Sequence, residues 1–503
     1  MGPGFYKRLE KKFEINIHYL IKGIPYFLKD NYLFICIFCA FLWLFFSFYP
    51  GIIVYDSFYM YVAAVEERAG NWHSALLTRL WQFILSVTTI KGIFVLIPLA
   101  TTCLGLYIIA KNISKGILTG IICVLILFMP PVFAYITVVL KGTYLASFTF
   151  LIAALMFNQA ISDKKQTHLF FLFSGIALIS CFYFRQNGCF IATPLLVAIF
   201  MGWKAPIIYR YITCFILVLC VIATTSFVNS RLLKADDEFP DISLMIFDIA
   251  GTAKNSGVST LPDIPGIPDQ LAFIKHCYTP NHWDTMANWY VKDNCNAMAL
   301  YFYNQRDGNP RHLKKVRREL RKAWITAITK HPKAYIKHRL SNFNRFIDYQ
   351  GHRPVFQPLE ARVVGIVDVF YEAKYRSLTY EVDPPQLWKT FIKMDLGNQL
   401  WFHPYVSLLI LLFFYLATLA TSDRFNRTLN VVAFSGLIYM VGYLFVGIAA
   451  DFRYSYPSLL LSILCILAAF AYYSKKRQVF GTKKTRIIAA SVTIPLLLIG
   501  IIL

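Results

Sequence analysis

Four charged side chains stand where an apolar chain has little reason to carry them: Asp56, Lys141, Arg185 and Arg453. Asp56 comes five residues after Gly51 of Tyr49-Pro50-Gly51, just past the first long apolar run. Of 27 acidic residues 18 fall within 231–400, so Asp56 is one of nine elsewhere. A carboxylate there can act as a general base, ligate a metal, or cap the helix that starts at Ser57. Lys141 interrupts the apolar stretch 132–151, so its ammonium must snorkel to a boundary or meet an anion. Arg185 ends another apolar run in Arg185-Gln186-Asn187-Gly188, where Gly188 lets the backbone turn at once. Arg453 stands in Asp451-Phe452-Arg453-Tyr454, as a structural partner of Asp451 or as a phosphate ligand, since its planar fork grips phosphate through two bonds. One base and three cations suit a displacement in which a hydroxyl attacks and a phosphate departs. Glu66, Trp72 and His73 follow Asp56 and, with Asn187, Asp451 and Tyr454, are the substrate-binding candidates. The plainer reading of Trp72 is an interfacial anchor, and of His73 a loop hydrogen bond.

The elements that must position these groups are membrane helices. Hydrophobic residues make up 57% of the chain and charged ones 15%, against about 25% charged in ordinary globular proteins. Mean hydropathy is +0.52. Apolar runs of about 16–22 residues separated by Lys/Arg clusters predict an all-α polytopic membrane protein. The candidate spans are 32–49, 91–110, 115–130, 142–160, 168–184, 188–203, 209–230, 402–421, 429–449, 455–473 and 487–503, about 11 in all. The segment 74–90 reads instead as an amphipathic or re-entrant helix. The net charge of +23 does not point to nucleic acid, because the cations gather in short loops and one polar segment. The basic N-terminus (Lys7, Arg8, Lys11, Lys12) precedes an apolar run without a small-residue cleavage site, so no cleavable signal peptide is expected.

With that N-terminus in the cytoplasm, every loop assigned inward is basic, as the positive-inside rule requires. The same alternation puts Asp56, His73, Lys141, Arg185, Arg453 and the polar segment 231–400 on one outer face. The expected organisation is an N-terminal transmembrane domain (1–230) whose loop 50–90 carries Asp56, a periplasmic α-rich domain (231–401), and C-terminal helices (402–503). Within the insert, Arg311 to His331 and Pro332 to Phe346 read as two helices, with a proline opening the second. Nine of the eleven cysteines lie in or beside apolar runs; Cys277 and Cys295 are the exceptions, in the insert. In an oxidising compartment they can pair, closing a loop of about 17 residues worth on the order of 3 kcal/mol, or remain as two buried thiols.

In combination, Tyr49-Pro50-Gly51, Tyr55-Asp56-Ser57, Asn71-Trp72-His73, Lys141, Arg185-Gln186-Asn187-Gly188 and Asp451-Phe452-Arg453-Tyr454 resemble membrane glycosyltransferases of the GT-C fold. The branch that they resemble most is the serotype-converting O-antigen glucosyltransferases. Asp248-Ile249-Ala250-Gly251, 277–283, and His331-Pro332 with Tyr335 and Arg339 are also similar to that branch. The resemblance covers roughly 45–190 and 430–460, in short motifs whose shared order carries it. It implies an undecaprenyl-phosphate sugar donor, an O-antigen or other periplasmic glycan acceptor, and an active site on the periplasmic side of the bacterial inner membrane. It assigns Asp56 as catalytic base and places Lys141, Arg185 and Arg453 near the donor phosphate. One position departs from the pattern: the branch has Asp after the lysine, and here it is Gly142. That leaves a divalent metal, Mg or Mn, an open question, with Asp56 as its ligand if there is one. Trp283, Trp289, Tyr290 and Tyr301 are candidates to stack on sugar rings, against the plainer alternative of core aromatics. Two rivals stay open: an O-antigen polymerase or ligase, and a lipid-linked sugar flippase or transporter. The few ionisable residues at mid-depth in the spans weigh against the second.

Overall fold

The computed structural model describes residues 31–502, apart from 91, 164, 166, 202–206, 265–266, 287–294, 296–309, 348–401 and 422. Trp289, Tyr290 and Tyr301 lie outside the described residues. Among those described, the chain is all-helical, with three isolated bridges and no strand. The N-terminal part runs α1 (Asn31–Ser47), α2 (Tyr55–Val65), α3 (Ala75–Val87), α4 (Ile93–Ala110), α5 (Ile117–Leu127), α6 (Pro130–Ile136), α7 (Lys141–Ile161), α8 (His168–Phe184), α9 (Gly188–Met201) and α10 (Ile207–Phe227). The insert supplies α11 (Asp241–Ser256), α12 (Gln270–Cys277), α13 (Pro310–Lys330) and α14 (Pro332–Ile347). The chain closes with α15 (Pro404–Thr418), α16 (Arg424–Val446), α17 (Tyr456–Lys476) and α18 (Lys483–Ile502).

Among the described residues five helices are long and apolar enough to cross a membrane, or six if the pair α5–α6, bent by 69°, is one span. The eleven expected spans each overlap a helix or that bent pair. Most of the difference has a physical reason: α1, α8, α9 and α15 have at most 17 residues, short of the roughly 20 that a bilayer core requires. The segment 74–90 is α3, with the Ser74 hydroxyl accepting from the Leu77 amide as its cap. α7 is the central column, packed against α4 and α17 and buried over 83% of its most apolar window. α10 is the opposite case, at 6%.

Two cores result. The larger gathers residues from α1 to α10 and from α15 to α17, with Trp81, Phe94 and Tyr144 among its fully buried side chains. The smaller belongs to the insert and is built from Ile242, Phe247, Ile274, Trp283 and Leu320. Cys277 and Cys295 are joined by a disulfide beside that smaller core, with their Cα atoms 5.5 Å apart.

Short backbone pairings fix the loops on which the charged residues stand. Ile52 N–H donates to Thr137 and Val139 N–H to Ile52, while the Ser57 hydroxyl donates to the Val139 carbonyl. The chain after α1 is thereby laid against the residues that lead into Lys141. Gly51 makes this approach feasible: its φ is +113°, and a Cβ there would lie 2.7 Å from the Val139 side chain. On the other side, Trp283 N–H donates to Ile448 and Ala450 N–H to Asn281. The insert thus grips the loop that carries Asp451 and Arg453.

Candidate functional site

Asp56, Lys141, Arg185, Arg453 and Tyr454, drawn from four distant stretches of sequence, line one cleft. Tyr135, Leu140, Gly142, Thr143 and Tyr456 complete its wall. Asp56 does not cap a helix: it sits in the first turn of α2, and its Oδ2 accepts from Arg453 Nη1 at 3.2 Å. Arg453 Nε stands 2.7 Å from Asp451 Oδ2, and Nη2 donates to the Tyr454 hydroxyl at 3.2 Å. Asp451 also receives the Arg453 backbone N–H and so caps the short 3₁₀ turn that holds Arg453. The Arg185 guanidinium lies 4.1 Å over the Tyr454 ring. Lys141 Nζ is 3.3 Å from His73 Nδ1, at the first residue of α7, where the helix dipole adds positive potential.

Gly142 explains part of this arrangement. A Cβ at this position would stand 3.0 Å from Arg185 Nη1, so the missing side chain is what lets the guanidinium lie against the start of α7. Burial works to raise the Asp56 carboxyl, but Arg453, then His73, Lys141 and Arg185, outweigh it and hold it well below the usual carboxylate range. His73 is pushed down to about 3, first by burial and then by Lys141, so it is neutral at ordinary pH. The cations that hold Asp56 ionised near neutrality are therefore Arg453, Lys141 and Arg185. Burial opposes the charge on Arg453, but Tyr454, Asp451 and Asp56 overcome it and keep the residue cationic.

The other candidates lie outside the cleft wall. Glu66 pairs with Arg68 at 2.7 Å just beyond α2. Trp72 is not exposed as a lipid anchor; its ring packs 5.7 Å from Trp283, against the insert core. Trp283 is itself buried, so it presents no sugar-stacking face. Asn187 is buried at the α8–α9 corner, its side-chain oxygen without a hydrogen-bond partner.

Glu238 was not among the candidates, and it organises the first loop. Its carboxylate accepts from the Trp72 N–H at 2.8 Å and from the Tyr59 hydroxyl, and its own N–H donates to Asn71 Oδ1 at 2.8 Å. The Tyr59 ring packs 5.0 Å from His73, which meets Lys141. No local pattern in the sequence marks this role, because the contacts join positions more than 160 apart.

A metal fits this cleft poorly. Asp56 is surrounded by three cations, Asp451 is engaged by Arg453, and among the described residues no three His, Cys, Asp or Glu side chains converge. The donor set present suits an anion instead: guanidinium and ammonium groups beside one ionised carboxylate. Compared with family models, curated proteins and solved structures, the chain matches none of them.

Proposed function

We propose that this membrane protein is an inverting glycosyltransferase. It moves a hexose, glucose by the resemblance, from undecaprenyl phosphate to a periplasmic O-antigen or other lipopolysaccharide glycan. The observation that carries the reading is the cleft, where one ionised carboxylate stands among three cations beside apolar helices. A sugar phosphodiester on a lipid is a substrate whose reacting bond lies at a membrane boundary and whose leaving group is anionic.

In this mechanism Asp56 takes the proton of the acceptor hydroxyl while its oxygen attacks the anomeric carbon from the face opposite the phosphate. The C1–O bond to phosphate breaks, the lipid phosphate leaves with the electron pair, and the anomeric configuration inverts. Lys141, Arg185 and Arg453 neutralise the charge that develops on the departing oxygen. Donor phosphate also draws Arg453 away from Asp56, so the carboxylate becomes a stronger base when the donor is bound.

The architecture that goes with this reading has eleven membrane helices, α1, α4, the bent pair α5–α6, α7 to α10 and α15 to α18, with 231–401 as a periplasmic domain in the inner membrane. The disulfide supports that side, because such bonds persist in oxidising compartments. The test uses purified protein in liposomes with synthetic polyprenyl-phosphate glucose and an O-antigen glycan. The reading requires transfer with inversion at C1. Translocation of the lipid-linked sugar without acceptor would replace it with a flippase, and joining of whole glycan units with a polymerase or ligase.

A further inference from the structure

α14 has two faces of different character and carries cations but no acid. Its inward stripe is buried: His338, Arg339, Asn342 and Phe346. Its outward stripe is Lys333, Ile336, Lys337 and Leu340, spaced to share one side of a helix. Ile336 and Leu340 are 54% and 53% exposed.

The inward contacts fix the level at which this outward stripe sits. The Phe346 ring stacks 4.1 Å from Tyr443, near the end of the candidate span α16. Arg339 Nη1 donates at 2.7 Å to the carbonyl of Gly447, the first residue beyond that span. Seven residues of helix cover about 10 Å, so the stretch 339–346 follows the last turn of α16 to its boundary. Leu340, the neighbour of Arg339, is therefore at boundary height with its side chain turned away from the protein. Ile336 and Lys337 stand about one turn further out, and Lys333 about two.

We infer that α14 is an interfacial helix, seated with Ile336 and Leu340 in the headgroup layer of the bilayer that α16 crosses and with Lys333 and Lys337 on anionic lipid phosphates. Apolar side chains at this depth with flanking lysines are the arrangement that binds such a surface. The same helix holds Gly447 on its other side, so the lipid surface braces the loop that carries Asp451 and Arg453. The inference rests on α16 spanning a membrane and not on the transferase reading.

The experiment uses the full chain in nanodiscs with a phospholipid bearing a diazirine beside its acyl ester, and maps adducts by mass spectrometry. Adducts are expected on 336–340 and on the exposed outer turns of α10 at Ile222 and Phe227. Adducts on α10 with none on 333–343 would overturn the inference, and so would an unlabelled α10, because the membrane frame would then fail. Ile336→Glu with Leu340→Glu, both exposed, should abolish the α14 adducts without changing the melting temperature; persistence would contradict the seat. Lys333→Glu with Lys337→Glu should reduce labelling by phosphatidylglycerol and leave that by phosphatidylcholine unchanged. An equal response to both lipids would overturn the anionic contact.

Discussion

Two of this molecule's carboxylate–guanidinium pairs, Asp248–Arg339 and Asp56–Arg453, differ in what surrounds them. Asp248 in α11 is fully buried and saturated: Oδ1 meets Arg339 at 2.6 Å and His338 at 3.0 Å, and Oδ2 accepts from the Trp324 indole at 2.7 Å. His338 in turn meets the Tyr278 hydroxyl at 2.7 Å. Burial pushes His338 down against the pull of Asp248, and both side chains are fully enclosed, so this Tyr–His–Asp chain has catalytic composition but no substrate access. Asp56 has one direct guanidinium partner, a side chain 23% exposed, and a cleft beside it. The same chemistry is architectural where the carboxylate is enclosed and partnered at both oxygens, and reactive where a ligand can compete for its partner. The two are linked, since Arg339 also holds the Gly447 carbonyl and so the loop of Arg453.

The comparison is broken most severely at the buried pair. Asp248→Ala leaves Arg339, His338 and the Trp324 N–H without their acceptor and should cost about 3–5 kcal/mol, read as a large fall in melting temperature. A melt like that of wild type would show that this pair is not architectural. In the cleft, Gly142→Asp should capture Arg185 and remove a cation from the phosphate. We expect the donor KM to rise about tenfold, from the loss of roughly one charged hydrogen bond, with kcat changed less. An unchanged KM would remove Arg185 from donor binding.

Acid should act on the cleft through stability first. His73 is held at about 3 in the folded protein, so only the unfolded chain takes up its proton as pH falls below its ordinary value near ~6.5. Asp56 is depressed, so its contribution is present above the ordinary carboxylate value and is lost only as pH falls through its lower folded one. Melting temperature should therefore decline below about pH 6.5, with a smaller slope in His73→Asn, while kcat/KM stays flat over about pH 5 to 7. A kinetic limb near pH 6.5 that His73→Asn removes would mean that His73 titrates normally. The smallest effect is expected at Glu66→Gln, whose partner Arg68 is 61% exposed: stability within about 0.5 kcal/mol and unchanged transfer.

How far the sequence could be read follows from the same contrast. Asp56, Lys141, Arg185 and Arg453 are visible because a charge at the end of an apolar run needs a reason, and alternation of helices puts the four on one face. The helices α13 and α14 and the turn at Gly188 are legible from proline, glycine and periodicity. Glu238 and the Asp248–His338–Arg339 cluster are not, because an acid in a polar insert is ordinary and only tertiary contacts give it meaning. Trp72 misleads for the same reason: an indole beside a membrane suits the interface, and here Trp283 covers it. Gly142 reads as a missing carboxylate in the sequence and as room for Arg185 in the structure.

The most direct test is Asp56→Asn, which removes the charge and keeps the shape. Single-turnover sugar transfer from polyprenyl-phosphate glucose should fall by about 10²–10⁴-fold, with the protein still folded and its melting temperature lowered by the lost pairing with Arg453. Transfer at a near wild-type rate in a folded Asp56→Asn protein would contradict the base and the account built on it.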